Sequence, residues 1–250
     1  RANGYGYTTI NVRSSDGEET RRVRVLVSDR YLAYGVDISR FQKMLSFTDF
    51  LQMKQDGVNF VMIRALYGDL ARGYQDGQFL NNYRQAKSAG LNVGVYHYVT
   101  CTSVEEAEEQ AQDMLKVLSL RGFRFDYPVA MDFEAKAILK LPLQTQAEII
   151  RTYCDIISNA GYEVVVYGSA NVLRKFPSEL FAAYGPDENH QGVWLAHWGT
   201  LNPFSMYHDQ VTMWQYTADG KVAGISGRVD MDISFFDYPA YMKENHKNGY

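Results

Sequence analysis

Residues 91–134 read LNVGVYHYVTCTSVEEAEEQAQDMLKVLSLRGFRFDYPVAMDFE, and one strand–helix–strand unit is written in them. Leu91–Val99 is a short apolar run rich in Val and Tyr, the composition of a buried strand. Ser103–Leu120 carries apolar residues at three- and four-residue spacing, as a helix with one buried face requires. Ser103 followed by Glu106 predicts a capping box at its start, and Glu105, Glu106, Glu108 and Glu109 fit its first turn and solvated side. Tyr127–Phe133 is a second apolar run. Strands joined by a crossover helix run parallel.

Working outward, the same alternation continues on both sides. Strand-like runs lie at Ala33–Ile38 and Val58–Leu66 before this unit, and at Val164–Tyr167, Val193–Trp198, Val211–Tyr216 and Val229–Ile233 after it. Helical spacing fits Phe47–Gln55, Gln78–Ala89, Pro142–Ala160 and a shorter stretch near Asn171–Lys175. Gly90 and Gly161 follow two of these helices, where a left-handed C-terminal cap belongs. Eight strands with helices between most of them predict an α/β fold, a TIM-like (β/α) barrel. The last two strands are separated only by Ala218–Gly227, which has no helical pattern, so the barrel is expected to be irregular near its end.

The first residues differ. Tyr5–Val12 and Thr20–Val27 alternate polar and apolar residues around Ser14-Ser15-Asp16-Gly17, which predicts a β-hairpin. The division expected is therefore a hairpin segment over 1–31, of the kind that ends an immunoglobulin-like module, a barrel over 32–242 and a polar tail over 243–250. The chain begins without Met and shows no signal-peptide pattern, so a processed or trimmed chain is expected.

Hydrophobic residues make up 46% of the 250, enough for a large core, and a net charge of −4 argues against a nucleic-acid footprint. No run is long and apolar enough to insert in a membrane. The two cysteines, Cys101 and Cys154, lie in apolar segments and are expected as buried free thiols. No Gly-x-Ser-x-Gly elbow or phosphate loop is present.

In such barrels reacting groups collect at strand ends. Those ends are acidic here: Asp37, Asp132 and Glu134, then Asp230 and Asp232 in the final strand. Asp132 and Glu134 share one strand face, about 6.5–7 Å apart along the backbone. Strands one and eight of a closed barrel are neighbours and strand four lies nearly opposite, so Asp37 and Asp230 would face Asp132 and Glu134 across the mouth. Converging carboxylates raise one another's pKa, which suits glycosidic cleavage: one carboxyl must be protonated and another charged. The competing readings are surface acids with helix caps, or a divalent cation site. The latter lacks a ligand-dense loop or a His pair of metal spacing, so no metal is expected. Aromatic residues gather at the same ends: Tyr67, Tyr96, Tyr98, Tyr167, Trp194, Trp198, Trp214 and Tyr216. They serve either as core or as stacking walls for sugar rings. His97 and His197 are each structural or groove-lining.

Tyr34-Gly35-Val36-Asp37-Ile38-Ser39, Gly94-Val95-Tyr96-His97-Tyr98, Met131-Asp132-Phe133-Glu134, Val193-Trp194-Leu195-Ala196, Met213-Trp214-Gln215-Tyr216 and Val229-Asp230 follow in that order. Together, over roughly residues 33–240, they resemble the family 25 glycoside hydrolases, the lysozymes of phage endolysins and bacterial autolysins. The resemblance implies some antiparallel strands late in the barrel. It also implies hydrolysis of the β-1,4 bond between N-acetylmuramic acid and N-acetylglucosamine in peptidoglycan, without a cofactor. Carried over residue by residue, Glu134 is the general acid and Asp132 its partner carboxylate, with Asp37 and Asp230 completing an acidic floor. Tyr67, Tyr96, His97, Tyr98, Tyr167, Trp194, Trp214 and Gln215 are the substrate-binding candidates. The family often has Asn where this chain has Asp232, which ranks Asp232 below Asp230. Glycan strands are the expected partner, the expected state is a monomer, and the expected location is extracellular or at the cell wall. The alternatives are another amidosugar glycosidase, of the endo-glucosaminidase or chitinase kind, or a non-catalytic wall-binding barrel.

Overall fold

A computed structural model describes residues 6–18, 20–27, 31–120, 122–198 and 210–250. Strands β1 (Gly6–Arg13) and β2 (Thr20–Val27) pair antiparallel, from Gly6 opposite Val27 to Arg13 opposite Thr20, as a two-stranded sheet of their own. Gly17 supplies the left-handed turn between them, at φ +78°.

The remaining strands close into a barrel. They are β3 (Ala33–Ile38), β4 (Phe60–Tyr67), β5 (Asn92–Tyr98), β6 (Val129–Asp132), β7 (Val164–Ser169), β8 (Gln191–Ala196), β9 (Val211–Gly220) and β10 (Val229–Ser234). Neighbours from β3 to β9 run parallel, and β10 closes the ring antiparallel to both β9 and β3. Only residues 221–228 connect β9 to β10, too few for the crossover that a parallel pair needs. The helices are α1 (Phe47–Gln55), α2 (Phe79–Ser88), α3 (Val104–Leu118), α4 (Leu143–Asn159), α5 (Ala170–Leu173), α6 (Ser178–Ala182) and α7 (Tyr238–Glu244). None is long and apolar enough to cross a membrane, among the described residues.

Strand alternation sorts the core into two shells. Val61, Ile63, Val93, Val95, Val129, Met131, Val164, Val166, Val193 and Leu195 face outward and pack with the helices. Phe60, Met62, Tyr96, Ala130, Val165, Tyr167, Trp194 and Met213 fill the barrel itself. Gly94 is small because it must be: a Cβ there would lie 2.3 Å from Met62 Sδ and 2.6 Å from Tyr127 Cβ.

Local signals hold with one shift. Ser103 Oγ accepts from Glu106 N at 3.2 Å, but the Glu106 carboxylate reaches back to Thr102 N, 2.6 Å, rather than to Ser103. Gly90 and Gly161 take φ +76° and +89° after their helices. Cys101 and Cys154 are buried free thiols. The segment read as a polar tail is docked under the barrel. Asn248, fully buried, accepts from Glu163 N at 2.7 Å and donates to Tyr127 O at 2.8 Å, and its carbonyl accepts from Phe125 N at 3.1 Å.

Candidate active site

The upper end of the barrel, where β3 to β9 finish, holds a cavity of about 300 Å³. Four carboxylates line it: Asp37, Asp132, Glu134 and Asp230. Asp37 points inward from β3 and stands directly opposite Asp230 in the antiparallel register. Like charges in that position repel, and burial removes the water that would screen them. Both carboxyls are pushed up, Asp37 by burial first and then by Asp230, and Asp230 by burial. Gln215 Nε2 donates to Asp37 Oδ2 at 2.8 Å and offsets part of this. Asp230 reaches the mouth from the beginning of a descending strand, not from a strand's end.

Asp132 is the last residue of β6 and buried, whereas Glu134 lies just beyond the strand and reaches solvent. Burial, then Glu134 and Asp37, hold the Asp132 carboxyl well above the usual carboxylate range. Its Oδ1 is buried with no hydrogen-bond partner among the described residues. The Glu134 carboxyl is raised by burial and then by Asp230. A charged form of the whole cluster would be costly, so protons are retained in it as pH rises. Asp232 lies one layer deeper, opposite Gly35. Its Oδ1 accepts from Trp194 Nε1 at 2.9 Å, its Oδ2 has no partner among the described residues, and burial, then Asp37, raise its carboxyl.

Aromatic rings wall the cavity. Tyr67 and Tyr98 stack at 4.7 Å and 8°, Tyr167 leans on Trp194 at 4.7 Å, and Tyr96 meets Trp194 edge-on at 6.2 Å. Gln215 ties the wall to the floor: its Oε1 accepts from Tyr167 Oη at 3.0 Å and from Trp198 Nε1 at 2.9 Å. These six candidates line the cavity.

Two do not. His97 is fully buried on the outer face of β5, with Nε2 2.7 Å from Gly68 O and Nδ1 3.1 Å from Tyr153 Oη. Strand alternation puts it opposite Tyr96 and Tyr98, and burial lowers its pKa to about 4, so it is a neutral packing residue. Trp214 likewise faces away from the cavity, packed with Ile233 and Phe235 and donating Nε1 to His197 O at 3.0 Å.

The sequence reading missed Arg64. Its guanidinium lines the cavity, bonds buried Asp76 at 2.9 Å and sits over the rings of Phe41 (5.3 Å) and Tyr67 (5.9 Å). Among the described residues it is the one cation on this acidic lining. The signal was available, since Arg64 shares the inward face of β4 with Phe60 and Met62. Among the described residues no group of three His, Cys, Asp or Glu side chains is arranged to hold a metal ion.

Comparison with known proteins adds the following. Residues 36–225 match the model of glycosyl hydrolases family 25. The chain is 28% identical over 198 residues to an autolytic lysozyme of Clostridium acetobutylicum, covering 79% of this chain and 54% of that protein. It is 27% identical over 208 residues to lysozyme M1 of Streptomyces globisporus, covering 78% and 65%. The chain thus spans about half to two thirds of these relatives' lengths. In fold it resembles the bacterial lysozyme from Streptomyces coelicolor, with a TM-score of 0.62, 23% identity and 86% and 97% of the two chains covered. It also resembles the modular autolysin LytC from Streptococcus pneumoniae, solved with a synthetic peptidoglycan ligand, with a TM-score of 0.68, 21% identity and 90% and 56% covered.

Proposed function

The chain belongs to the family 25 glycosyl hydrolases, and on that premise we propose that it is a muramidase. Its substrate is bacterial peptidoglycan, and the bond it cleaves is the β-1,4 bond from N-acetylmuramic acid to N-acetylglucosamine. One observation carries this reading: a solvent-reaching carboxyl of raised pKa, Glu134, stands beside buried Asp132 in an aromatic-walled acidic cavity. Glu134 is the general acid. It gives its proton to the glycosidic oxygen as the C1–O bond breaks, so the leaving sugar departs as a neutral alcohol. Positive charge then develops on the muramic ring, and the carboxylates beneath it stabilise that charge. Asp132 is the partner carboxylate, orienting the acetamido group or the attacking water at C1. Asp37 and Asp230 form the floor, with Asp37 held by Gln215. Tyr67, Tyr96, Tyr98, Tyr167 and Trp194 present ring faces and edges to the sugar. No cofactor is needed for this chemistry.

The catalytic unit in this reading is the barrel together with its docked C-terminal segment, residues 32–250, with the N-terminal hairpin a separate two-stranded sheet. The site of action is extracellular or at the cell wall. The relatives' names, an autolytic lysozyme and a lysozyme, support the assignment. Digestion of purified peptidoglycan, borohydride reduction and mass spectrometry of the released fragments test it. Reduced muramic acid at the new ends is expected. Reduced glucosamine at those ends would make the enzyme a glucosaminidase, and wall binding without release would make it a binding module.

A further inference from the structure

Arg64 is a buried cation on a lining otherwise rich in carboxyls, and a β-bulge puts it there. The register between β4 and β5 passes from Arg64 opposite Tyr96 to Leu66 opposite His97, so Ala65 is an extra residue on β4. Ile63, Ala65 and Leu66 pack outward with the helices, while Arg64 and Tyr67, three positions apart, both line the cavity. Strict alternation would have turned Tyr67 away. Asp76 fixes this arrangement from behind. Its N–H donates to Ala65 O at 2.8 Å, and its Oδ2 accepts from Arg64 Nε and Nη2, each at 2.9 Å. Arg40 N donates to the same oxygen at 2.9 Å, and Gln78 N donates to Oδ1 at 3.0 Å. The Asp76 side chain has no exposed surface and is off the cavity lining, so the guanidinium, not its counter-charge, fronts the carboxyls.

We propose that Arg64 is a positioning residue for the acid pair: clamped by Asp76, it supplies the positive charge against which Asp132 ionises while Glu134 keeps its proton. The proposal rests on the muramidase reading, in which the two carboxyls must differ in charge. The guanidinium lies 5.9 Å from the Tyr67 ring, Tyr67 stacks on Tyr98 at 4.7 Å, and Tyr98 stands beside Asp132 in the parallel register.

Asp132 needs such a charge. Its Oδ1 is buried with no hydrogen-bond partner among the described residues, so no donor there favours the ionised form. The other carboxyls of the lining, Glu134, Asp37 and Asp230, bring charge of the wrong sign. The phenols of Tyr96, Tyr98 and Tyr167, each raised first by burial, stay neutral. Against burial, Glu134 and Asp37, which raise the Asp132 carboxyl, Arg64 draws it down. At Glu134 the causes are burial and then Asp230, so the pull falls on one member of the pair.

The test is a pH profile. Arg64→Gln is expected to move the acid limb of kcat/KM on peptidoglycan up by about one pH unit, because Asp132 then ionises later. Below that limb its loss should be about tenfold larger than on the plateau. Asp76→Asn removes the counter-charge behind Arg64 and is expected to move the limb the other way. Arg64→Lys keeps a cation and is expected to bring the limb back towards its wild-type position. A purely structural role would lower the rate evenly across pH. An unmoved limb in Arg64→Gln, or an equal displacement in Arg64→Lys, would therefore overturn the proposal. Should Arg64→Gln not fold, Asp76→Asn decides, and a limb that fails to move down overturns it. Carboxyl ¹³C NMR gives a readout without turnover. The Asp132 resonance, identified by its loss in Asp132→Asn, is expected to titrate higher in Arg64→Gln by about the same unit, and an unchanged midpoint would count against Arg64. Wild-type protein that leaves peptidoglycan intact would sink the muramidase reading, and the carboxyl titration would still decide whether Arg64 governs Asp132.

Discussion

The carboxylates that line the cavity at the upper end of the barrel and Asp126 at its lower end are held in opposite ways. At the upper end Asp37, Asp132 and Asp232 are buried beside Asp230 and Glu134, with one guanidinium, Arg64, among them, and two buried carboxylate oxygens, one each on Asp132 and Asp232, have no partner among the described residues. At the lower end Asp126 is paired. Its Oδ2 accepts from Lys87 Nζ at 2.7 Å and from Val93 N at 2.9 Å, and its Oδ1 accepts from Tyr250 Oη. A buried group left without partners costs free energy that a paired one does not. The upper end therefore gives up stability to hold carboxyls at raised pKa, and the lower end supplies stability. In barrels of this kind the upper face carries chemistry and the lower face carries the fold. Variants that separate activity from stability at each end test this contrast.

The largest effect is expected at Glu134. Glu134→Gln removes the proton donor and should lower kcat on peptidoglycan by about 10²–10⁴-fold. Stability should hold or rise, because the change removes one charge from a repelling cluster. Muropeptide release and the thermal midpoint, measured on the same preparation, check both halves. Near-wild-type turnover would take Glu134 out of the acid role, and a collapse of the midpoint would erase the contrast between the two ends.

Asn248 is the mirror case. Asn248→Ala leaves Glu163 N–H and Tyr127 C=O without the partners they now have inside the lower end. Two orphaned backbone groups at about 1–3 kcal/mol each put the loss near 4 kcal/mol. Chemical denaturation at neutral pH measures it, while kcat under conditions where the variant stays folded should change by less than about threefold. A mild loss of stability, or a large loss of kcat in folded protein, would show that the ends are not separable.

The contrast also marks where the sequence was legible. Ala33–Ile38 and Phe47–Gln55 were placed to the residue, because a β-rich apolar run and a capped amphipathic segment are local signals. Asp37, Asp132 and Glu134 were legible because strand ends are local too, whereas Asp230 reaches the same mouth from the start of an antiparallel strand. What failed was facing. Position along a strand gives depth in the barrel, but only alternation gives the side, and His97, between two tyrosines that line the cavity, had to point outward. The same parity separates Trp214 from Gln215. Other features depend on partners distant in sequence. Asp76, 12 residues on, holds Arg64, and the clasp at Asn248 joins residues 85 and 121 positions away. Helix α7, which follows Asp237 and carries Pro239 in its first turn, is too short to show a period.

Glu163, also at the lower end, is buried with less support than Asp126 has, and it gives the contrast its finest test. Burial raises its carboxyl to about 7, with Lys247 and a hydrogen bond from Tyr241 lowering it only in part. The unfolded chain releases this proton near 4.5, the ordinary value for a glutamic acid. Between those values the folded protein still holds a proton that the unfolded chain has lost. Stability from this group is therefore complete below about 4.5, falls as pH rises towards 7 and is level above it. At 1.36 kcal/mol per unit, the full fall between 4.5 and about 7 is on the order of 3 kcal/mol, the lowering by Lys247 and Tyr241 included. A glutamine side chain does not titrate in this range, so Glu163→Gln should gain on wild type between pH 4.5 and 7 by that amount. Unfolding free energies at pH 4.5, 6 and 8 for both proteins decide it. Parallel pH curves would mean that Glu163 stays charged in the fold, and that the lower end pairs all of its carboxylates as fully as it pairs Asp126.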